Sequence, residues 1–438
     1  MEGSSSDIIS HLPADVKEKI LMCLPMEDAV RTSILSKKWR YSWERLPQLV
    51  FDNDFCRKAR TATKNELLMA MYQVLLHHRG PIVKFKLSLF ALKSCFEIDH
   101  LIHFVSNDDI QELSLLIQRG QAYKLPSSFF SCLQLKHLEL RFCTFNPPPR
   151  FGGFSMLLSL EFQDVAITSK VLSTLISSCP RLEKLKLGSC KIFSFSNLEI
   201  SAPKLTSLVF DGKFRSLSFK NTPKLARISL LLYEMFPSQR YEGEDLSNWV
   251  TLFSGLPALE FLGVDYGCLE LISAGGVPER LPNTLSNLKI LELNFISFQR
   301  MFEVSSIFCL IRSSPQLEKL KIGVLVDEIE HVNNVANFIA VEGWLADISF
   351  NQLKEVEMRE VWGTRAELEF IKLLLGKSPA LEKIVIGTNE LFGHEALKFL
   401  HEVMRFRRLS PLAEVYYSNP EEDLDEDYFD LDEDPDEI

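Results

Sequence analysis

The side chains with the most chemical potential in this sequence are thiols and imidazoles, and their spacing is poor for a catalytic centre. Cys95, Asp99, His100 and His103 lie close together. Two imidazoles three apart can share one side of a helix, and a thiolate and a carboxylate beside them invite a divalent metal. The set lacks a further ligand at motif spacing, and a lone His-x-x-His is common by chance, so no metal is expected. His77-His78 reads as a loop or helix end. Nine cysteines are scattered without a C-x-x-C pair, which fits reduced thiols packed in a core. There is no Gly-x-x-x-x-Gly-Lys loop, no nucleophile elbow and no H-E-x-x-H. Gly152-Gly153 and Gly275-Gly276 read as turns. The expectation is a non-catalytic chain with no cofactor.

Charge narrows the classes further. The net charge is -11, yet the segment from Glu421 to Ile438 carries twelve acids and no Lys or Arg. The remainder is nearly neutral, which argues against binding a phosphate backbone. Residues 419–438 are expected to be a disordered acidic tail, because like charges repel and apolar content is low. Arg405, Arg407 and Arg408 form a compact basic cluster that reads as a solvated helix end or, less simply, as a nuclear-import patch. The tail could fold back on these arginines, although solubility is the plainer reading. No apolar run approaches the ~20 residues that span a bilayer, and the N-terminus does not read as a signal peptide. A cytoplasmic or nuclear location is expected.

The elements that position everything come from a repeat. Leu-x-x-Leu-x-Leu recurs at Leu135/Leu138/Leu140, Leu182/Leu185/Leu187, Leu205/Leu208/Phe210, Leu225/Ile228/Leu230 and Leu259/Leu262/Val264. It continues at Leu288/Leu291/Leu293, Leu317/Leu320/Ile322, Leu353/Val356/Met358 and Leu381/Ile384/Ile386. Weaker copies stand at Ile82/Phe85/Leu87, Ile110/Leu113/Leu115 and Leu157/Leu160/Phe162. The spacing of about 20–36 residues suits leucine-rich repeats with insertions. The last two apolar positions are two apart, so a strand points both inward. One such strand cannot bury its apolar side alone, and parallel stacking builds a shared core. Helices such as Val171 to Ser177 and Ile307 to Ser313 should cover the convex side. The fold class is α/β: a short helical module, then a solenoid with parallel strands on its concave side.

The outward strand residues line that concave side. Candidates for holding a protein partner are Glu139, Arg141, Lys186, Asp211, Arg227, Phe261, Asp265, Glu292, Lys321 and Arg359. Their signs alternate, which suits a protein surface better than a polyanion.

Residues Leu12 to Arg45 have another texture. Val16, Ile20 and Leu24 recur every four residues after Pro13, which fits a first helical turn. Leu24-Pro25 breaks that helix, and a second begins at Met26 with Glu27 and Asp28 at its positive end. Ser36 should cap a third, Lys37 to Trp43. So few residues hold too little core, and leftover apolar side chains should meet a partner.

Here a resemblance emerges. Asp7-Ile8-Ile9-Ser10-His11-Leu12-Pro13-Ala14-Asp15-Val16 looks like the opening of an F-box. Met26-Glu27-Asp28-Ala29-Val30-Arg31-Thr32-Ser33-Ile34-Leu35-Ser36-Lys37-Lys38-Trp39-Arg40 resembles the plant version of its remainder. Residues Leu353 to Ile386 resemble the FBD region of plant F-box proteins, with Gly363 to Glu369 as its turn and helix start and Arg405 to Val415 as its ending. The resemblance divides the chain into an F-box at 5–51, leucine-rich repeats at 52–343, an FBD region at 344–418 and the tail. It implies docking on a Skp-type adaptor, and through it on a cullin–RING ubiquitin ligase, with the repeats holding a substrate protein. By position it assigns Leu12, Pro13, Ile20, Leu21, Leu24, Val30, Leu35 and Ser36 to the adaptor contact, with Trp39 and Trp43 in the core. The FBD should cap the solenoid as a strand–helix–strand unit. The alternative is a scaffold that uses its repeats outside any ligase.

Overall fold

The computed structural model describes residues 9–52, 55, 64–89, 96–118, 121–193, 197–212, 216–232, 250–273, 276–325, 334–340, 348–388 and 393–418. The expected disordered tail, Cys56, Cys95, Gly275 and the opening Asp7-Ile8 lie outside them. The chain divides into two compact units, Met1–Lys224 and Leu225–Ile438.

The first unit opens with α1 (Ala14–Met22) and α2 (Met26–Arg31). Pro13 and Pro25 stand at their N-caps, where a missing N–H costs nothing, and Asp15, Glu27 and Asp28 occupy first turns. Leu21, Met26, Ala29, Trp39, Trp43 and Leu46 are buried. The third α-helix expected over Lys37 to Trp43 does not form. The chain instead makes 3-10 turns at Thr32–Ile34 and Trp43–Arg45. Between them Trp39 N–H donates to the Ser36 carbonyl and Ser42 N–H to the Trp39 carbonyl, both i to i−3. The hydroxyls of Thr32 and Ser33 bond back to the Ala29 and Val30 carbonyls. Such bonds compete with a regular ladder, and so short a segment does not repay helix nucleation.

Seven parallel strands follow: β1 (Gln48–Phe51), β2 (Lys84–Leu89), β3 (Glu112–Ile117), β4 (His137–Arg141), β5 (Ser159–Gln163), β6 (Lys184–Gly188) and β7 (Ser207–Asp211). They pair in sequence order. The apolar positions of every repeat phrase read in this part of the chain are buried. β1 is a further copy, Leu46/Leu49/Phe51, within the F-box-like segment; all three are buried. Residues 48–51 therefore serve the helical module and the sheet together.

Phe142, Asp164 and Ser189, directly after β4, β5 and β6, take left-handed φ values of 57, 53 and 45. Each N–H still reaches the neighbouring strand, to the carbonyls of Gln163, Gly188 and Asp211 at 2.9, 2.9 and 2.7 Å. The repeats thus turn at one fixed point. α3 (Lys64–His77), α4 (Phe96–Val105) and α5 (Ser169–Ser177) lie between strands. Helices do not provide all the cover. A second parallel ladder joins Tyr123–Lys124, Cys143–Thr144, Ala166–Thr168 and Lys191–Phe193, and Asn197–Ser201 pairs with Ser216–Lys220. Short repeats leave no room for a helix of several turns, and β pairing satisfies the same backbone groups. Phe129, Phe130, Phe145, Phe151 and Phe154 fill this region edge to face, with Phe129–Phe130 centroids 5.1 Å apart.

The second unit holds β8 (Arg227–Leu231), β9 (Phe261–Asp265), β10 (Ile290–Ile296), β11 (Lys319–Val324), β12 (Glu355–Val361), β13 (Lys383–Thr388) and β14 (Glu414–Ser418). These are again parallel and paired in order. The left-handed residue recurs as Phe295 and Glu360, now inside longer strands whose register shifts there. Its described helices include α6 (Tyr266–Ser273), α7 (Met301–Arg312), α8 (Asn334–Ala340), α9 (Arg365–Lys377) and α10 (Gly393–Met404). Thr364 and Glu367 form a capping box at the start of α9, after Gly363 at φ 76. Phe370 of α9 packs on Phe298 and on Phe308 of α7, at 5.0 and 5.9 Å.

Residues 344–418 go beyond the expected strand–helix–strand unit. Their described residues supply three strands, β12 to β14, and two helices, and β12 continues the register of β11. The FBD-like region is therefore a run of further repeats. No described helix is long and apolar enough to cross a membrane.

Candidate functional site

Within α1, burial and exposure separate sharply. Leu21 is fully buried, whereas its neighbours Ile20 and Met22 and the following Leu24 are exposed. Neighbouring positions on a helix point in different directions, so a two-helix module that buries Leu21 cannot also bury Ile20 and Met22. The 3-10 turn at Thr32–Ile34 then presents Ile34, 85% exposed, and Leu35, 66% exposed. Ile9 and Tyr41 are exposed as well. Of the other residues singled out, Leu12, Val30 and Ser36 are half-buried and Pro13 is exposed. Leu21 belongs to the module's own core and presents no surface to a partner. Ile34 was not singled out from the sequence, although it is the most exposed large apolar residue described; two adjacent apolar residues in a short turn were the available signal. Burying these side chains elsewhere would contribute roughly 25 cal/mol per Å² of apolar area removed from water.

The module is joined firmly to the first repeat. Glu44 is buried, and its carboxylate lies 3.3 Å from the Arg79 guanidinium. Its carbonyl accepts from Arg79 N–H, and the Leu46 carbonyl contacts the His78 ring at 2.8 Å. His77 is the last residue of α3.

The open face of the strands carries the other candidates. In the first unit Glu139 sits across from Glu161, which pairs with Lys186 at 3.1 Å. Arg141 is exposed and aligns with Gln163, whose side chain lies over Gly188, next to Asp211. In the second unit Arg227 stacks on the Phe261 ring at 4.3 Å. Lys321 lies 3.9 Å from Glu292, and Arg359 pairs with Glu357 at 2.6 Å. The charges largely neutralise each other on the face.

Asp265 does not belong there. It is fully buried, and its carboxylate accepts from the N–H groups of Leu232 and Cys268. It ends β9 and begins the turn into α6, so strand alternation misplaces it. Phe261 is also buried, beneath the Arg227 guanidinium. Burial pushes the Asp265 carboxyl up to about 6, against the lowering pull of the Cys268 and Leu232 N–H groups. Glu303 and Glu367 repeat the device: each is buried at a strand-to-helix turn and accepts backbone N–H groups, from Ser297 and from Thr364.

Of the metal candidates, Cys95 lies outside the described residues. Asp99 accepts from the Tyr123 hydroxyl at 2.5 Å. Among the described residues no cluster of three or more His, Cys, Asp or Glu could hold a metal ion.

Comparison with known proteins gives a consistent picture. A family model for the F-box domain matches residues 9–50. A second, described as "FBD-associated F-box protein At5g56370, LRR repeats", matches residues 98–322. An Arabidopsis thaliana protein named F-box/FBD/LRR-repeat protein At1g13570 is 37% identical over 95% of this chain and 99% of its own length. F-box/LRR-repeat protein 13 from the same plant is 25% identical, covering 93% of this chain and 96% of its own. FBD-associated F-box protein At5g38590, also from Arabidopsis, is 26% identical over 77% of this chain and 82% of its own.

Proposed function

This chain belongs to the plant F-box/FBD/LRR-repeat family, and from that membership we propose that it is the substrate-recognition subunit of a Skp–cullin–F-box ubiquitin ligase. Its F-box docks on a Skp-type adaptor, and the open face of its repeats holds the protein to be modified. Members of the family are in general adaptors without catalytic residues, and the chemistry of ubiquitin transfer belongs to partner enzymes. This chain contributes proximity: it raises the effective concentration of the substrate beside the charged ubiquitin carrier.

The observation that supports docking most directly is the uncovered apolar set Ile20, Leu24, Ile34 and Leu35 on a module whose own core is already filled by Leu21, Met26, Trp39 and Trp43. Spare apolar side chains on so small a unit are what an obligate partner would cover. The test is co-purification of the full chain with a Skp-type adaptor, comparing the native protein with Ile34→Asp/Leu35→Asp. Both residues are exposed, so the double variant keeps its circular dichroism and unfolding midpoint. Loss of adaptor capture is expected; capture at the native level by a folded variant would overturn the proposal.

A further inference from the structure

The last repeat exposes more apolar surface than a solvated end requires. Leu397 and Met404 lie seven apart on α10, and the loop into β14 adds Leu409 and Leu412; all are exposed, Leu412 by 70% and Leu397 by 66%. Tyr416 on β14 is exposed too. β14 pairs with β13 on one side and is the last strand of its sheet among the described residues. A terminal strand with an open edge invites unwanted pairing and is ordinarily covered, and repeat stacks need a polar cap at each end.

Two exposed cations stand beside this patch. Arg405 and Arg407 are exposed at the C-terminal end of α10, and neither pairs with an acid among the described residues. In the same unit some cations are held by acids, Lys319 by Glu355 at 2.8 Å, Lys354 by Glu318 at 2.9 Å and Lys372 by Glu369 at 3.1 Å. Arg408 is used internally, donating to the Ala413 carbonyl at 2.9 Å and lying against the Met404 sulfur. It fixes the loop that carries Leu412 against the end of α10. Glu395, Glu402 and Glu414 are the acids of this region, and Glu414 is taken by the Tyr416 hydroxyl.

We propose that the chain's own acidic segment, residues 419–438, docks in cis on this last repeat, its acids on Arg405 and Arg407 and its apolar residues over Leu397, Met404 and Leu412. The segment begins directly after Ser418 of β14. Its twenty residues span up to about 70 Å when extended, against about 18 Å for the length of α10, so reach does not limit the contact. Its composition matches the site in both respects. It has twelve acids and no Lys or Arg, and it places Leu424, Tyr428, Phe429 and Leu431 among them. The attraction is between exposed charges, so salt weakens it. A segment of this kind supplies a polar outer layer at the end of the repeat stack. The inference is independent of the ligase reading.

Amide hydrogen exchange of residues 393–418 tests it in the full-length chain. Three proteins are compared: native, a neutral-tail variant with the twelve acids changed to Asn and Gln, and Arg405→Glu/Arg407→Glu. Loss of protection over α10 and β14 in the neutral-tail variant and in the charge-reversed body is expected, as is loss in the native chain at high salt. Replacing tail acids by Lys in the charge-reversed body should restore protection. Should the charge-reversed body fail to fold, the neutral-tail variant decides alone. Native-level protection in the folded neutral-tail variant overturns the proposal. Protection that rises with protein concentration, showing a second copy on the patch, also overturns it.

Discussion

Arg79 grips Glu44 twice: its backbone N–H donates to the Glu44 carbonyl at 2.7 Å, and its guanidinium Nε lies 3.3 Å from the Glu44 carboxylate. The Glu44 side chain is buried while that of Arg79 is largely exposed. The pair spans the join between the F-box and the first repeat, and Gln48 adds a bond from its side-chain amide to the Met22 carbonyl. In this arrangement the F-box helices and the first unit's strands belong to one compact unit. A substrate held on those strands would then keep a fixed relation to the adaptor, which is what proximity catalysis needs.

The join can be tested one residue further on. Gly80 backs against Arg45 so closely that a Cβ would sit 2.9 Å from both the Arg45 Cα and carbonyl oxygen. Backbone cannot swing aside as a long side chain can. Gly80→Ala should therefore destabilise the first unit by about 1–3 kcal/mol, the usual cost of overpacking. Denaturant unfolding measures this, and an unchanged midpoint would contradict the close join. The same closeness argues against removing residues 1–51 as a test of docking. That cut takes β1 with its buried Leu49 and Phe51 and exposes the edge of β2.

Leu21 and Leu35 should respond in opposite ways. Leu21 is fully enclosed, so Leu21→Ala should cost about 2–5 kcal/mol of stability. Leu35→Ala should leave the unfolding midpoint unchanged within about 0.5 kcal/mol, as surface changes usually do, yet weaken adaptor binding. The decisive comparison is stability and adaptor affinity measured on both variants. A Leu35→Ala protein that unfolds early while binding normally would assign the two residues the other way round.

Much of this was legible from residue types because the repeat phrase has one geometric solution. Every apolar position read in the twelve copies is buried, including the weak copies at Ile82, Ile110 and Leu157. The phrase at Leu46/Leu49/Phe51 has the same spacing but was hidden, because a resemblance to the F-box had already claimed those residues. Asp265 was misread for a physical reason. Alternation tells which face of a strand a residue takes, but the Leu232 N–H and the start of α6 close over it. The third F-box helix failed because hydroxyl back-bonding and i to i−3 closure are local effects that apolar periodicity does not register. Ile34 escaped because exposure depends on where the second helix ends.

Asp265 carries a pH signature. Its folded-state pKa is raised from 3.8 to about 6 by burial. The protonated form is therefore favoured in the folded chain. Its stabilising contribution is complete below pH 3.8 and is lost as pH rises through about 6. Between pH 4 and 6 the native protein should lose stability relative to Asp265→Asn, which has no proton to release. Urea midpoints taken across that range for both proteins measure the difference. Parallel curves would show that the carboxyl is not shifted.

The thiols give the last prediction, and it turns on exposure and ionisation together. Cys23, just beyond α1, is exposed. Cys132, Cys143, Cys179, Cys268 and Cys309 are buried, and Cys190 is half-buried. Burial pushes Cys132, Cys143 and Cys190 up to about 12 and Cys179 and Cys309 to about 11, with Cys268 also well above the usual range. The reactive form is the thiolate, so at pH 8 these six should be slow on two counts, access and ionisation. Brief treatment of the native chain with iodoacetamide, followed by peptide mass spectrometry, should mark Cys23 well before any of them. Adaptor docking near Ile20, Met22 and Leu24 should then shield Cys23 as well. Labelling of Cys23 that is equally fast with and without saturating adaptor would place the docking contact away from the end of α1.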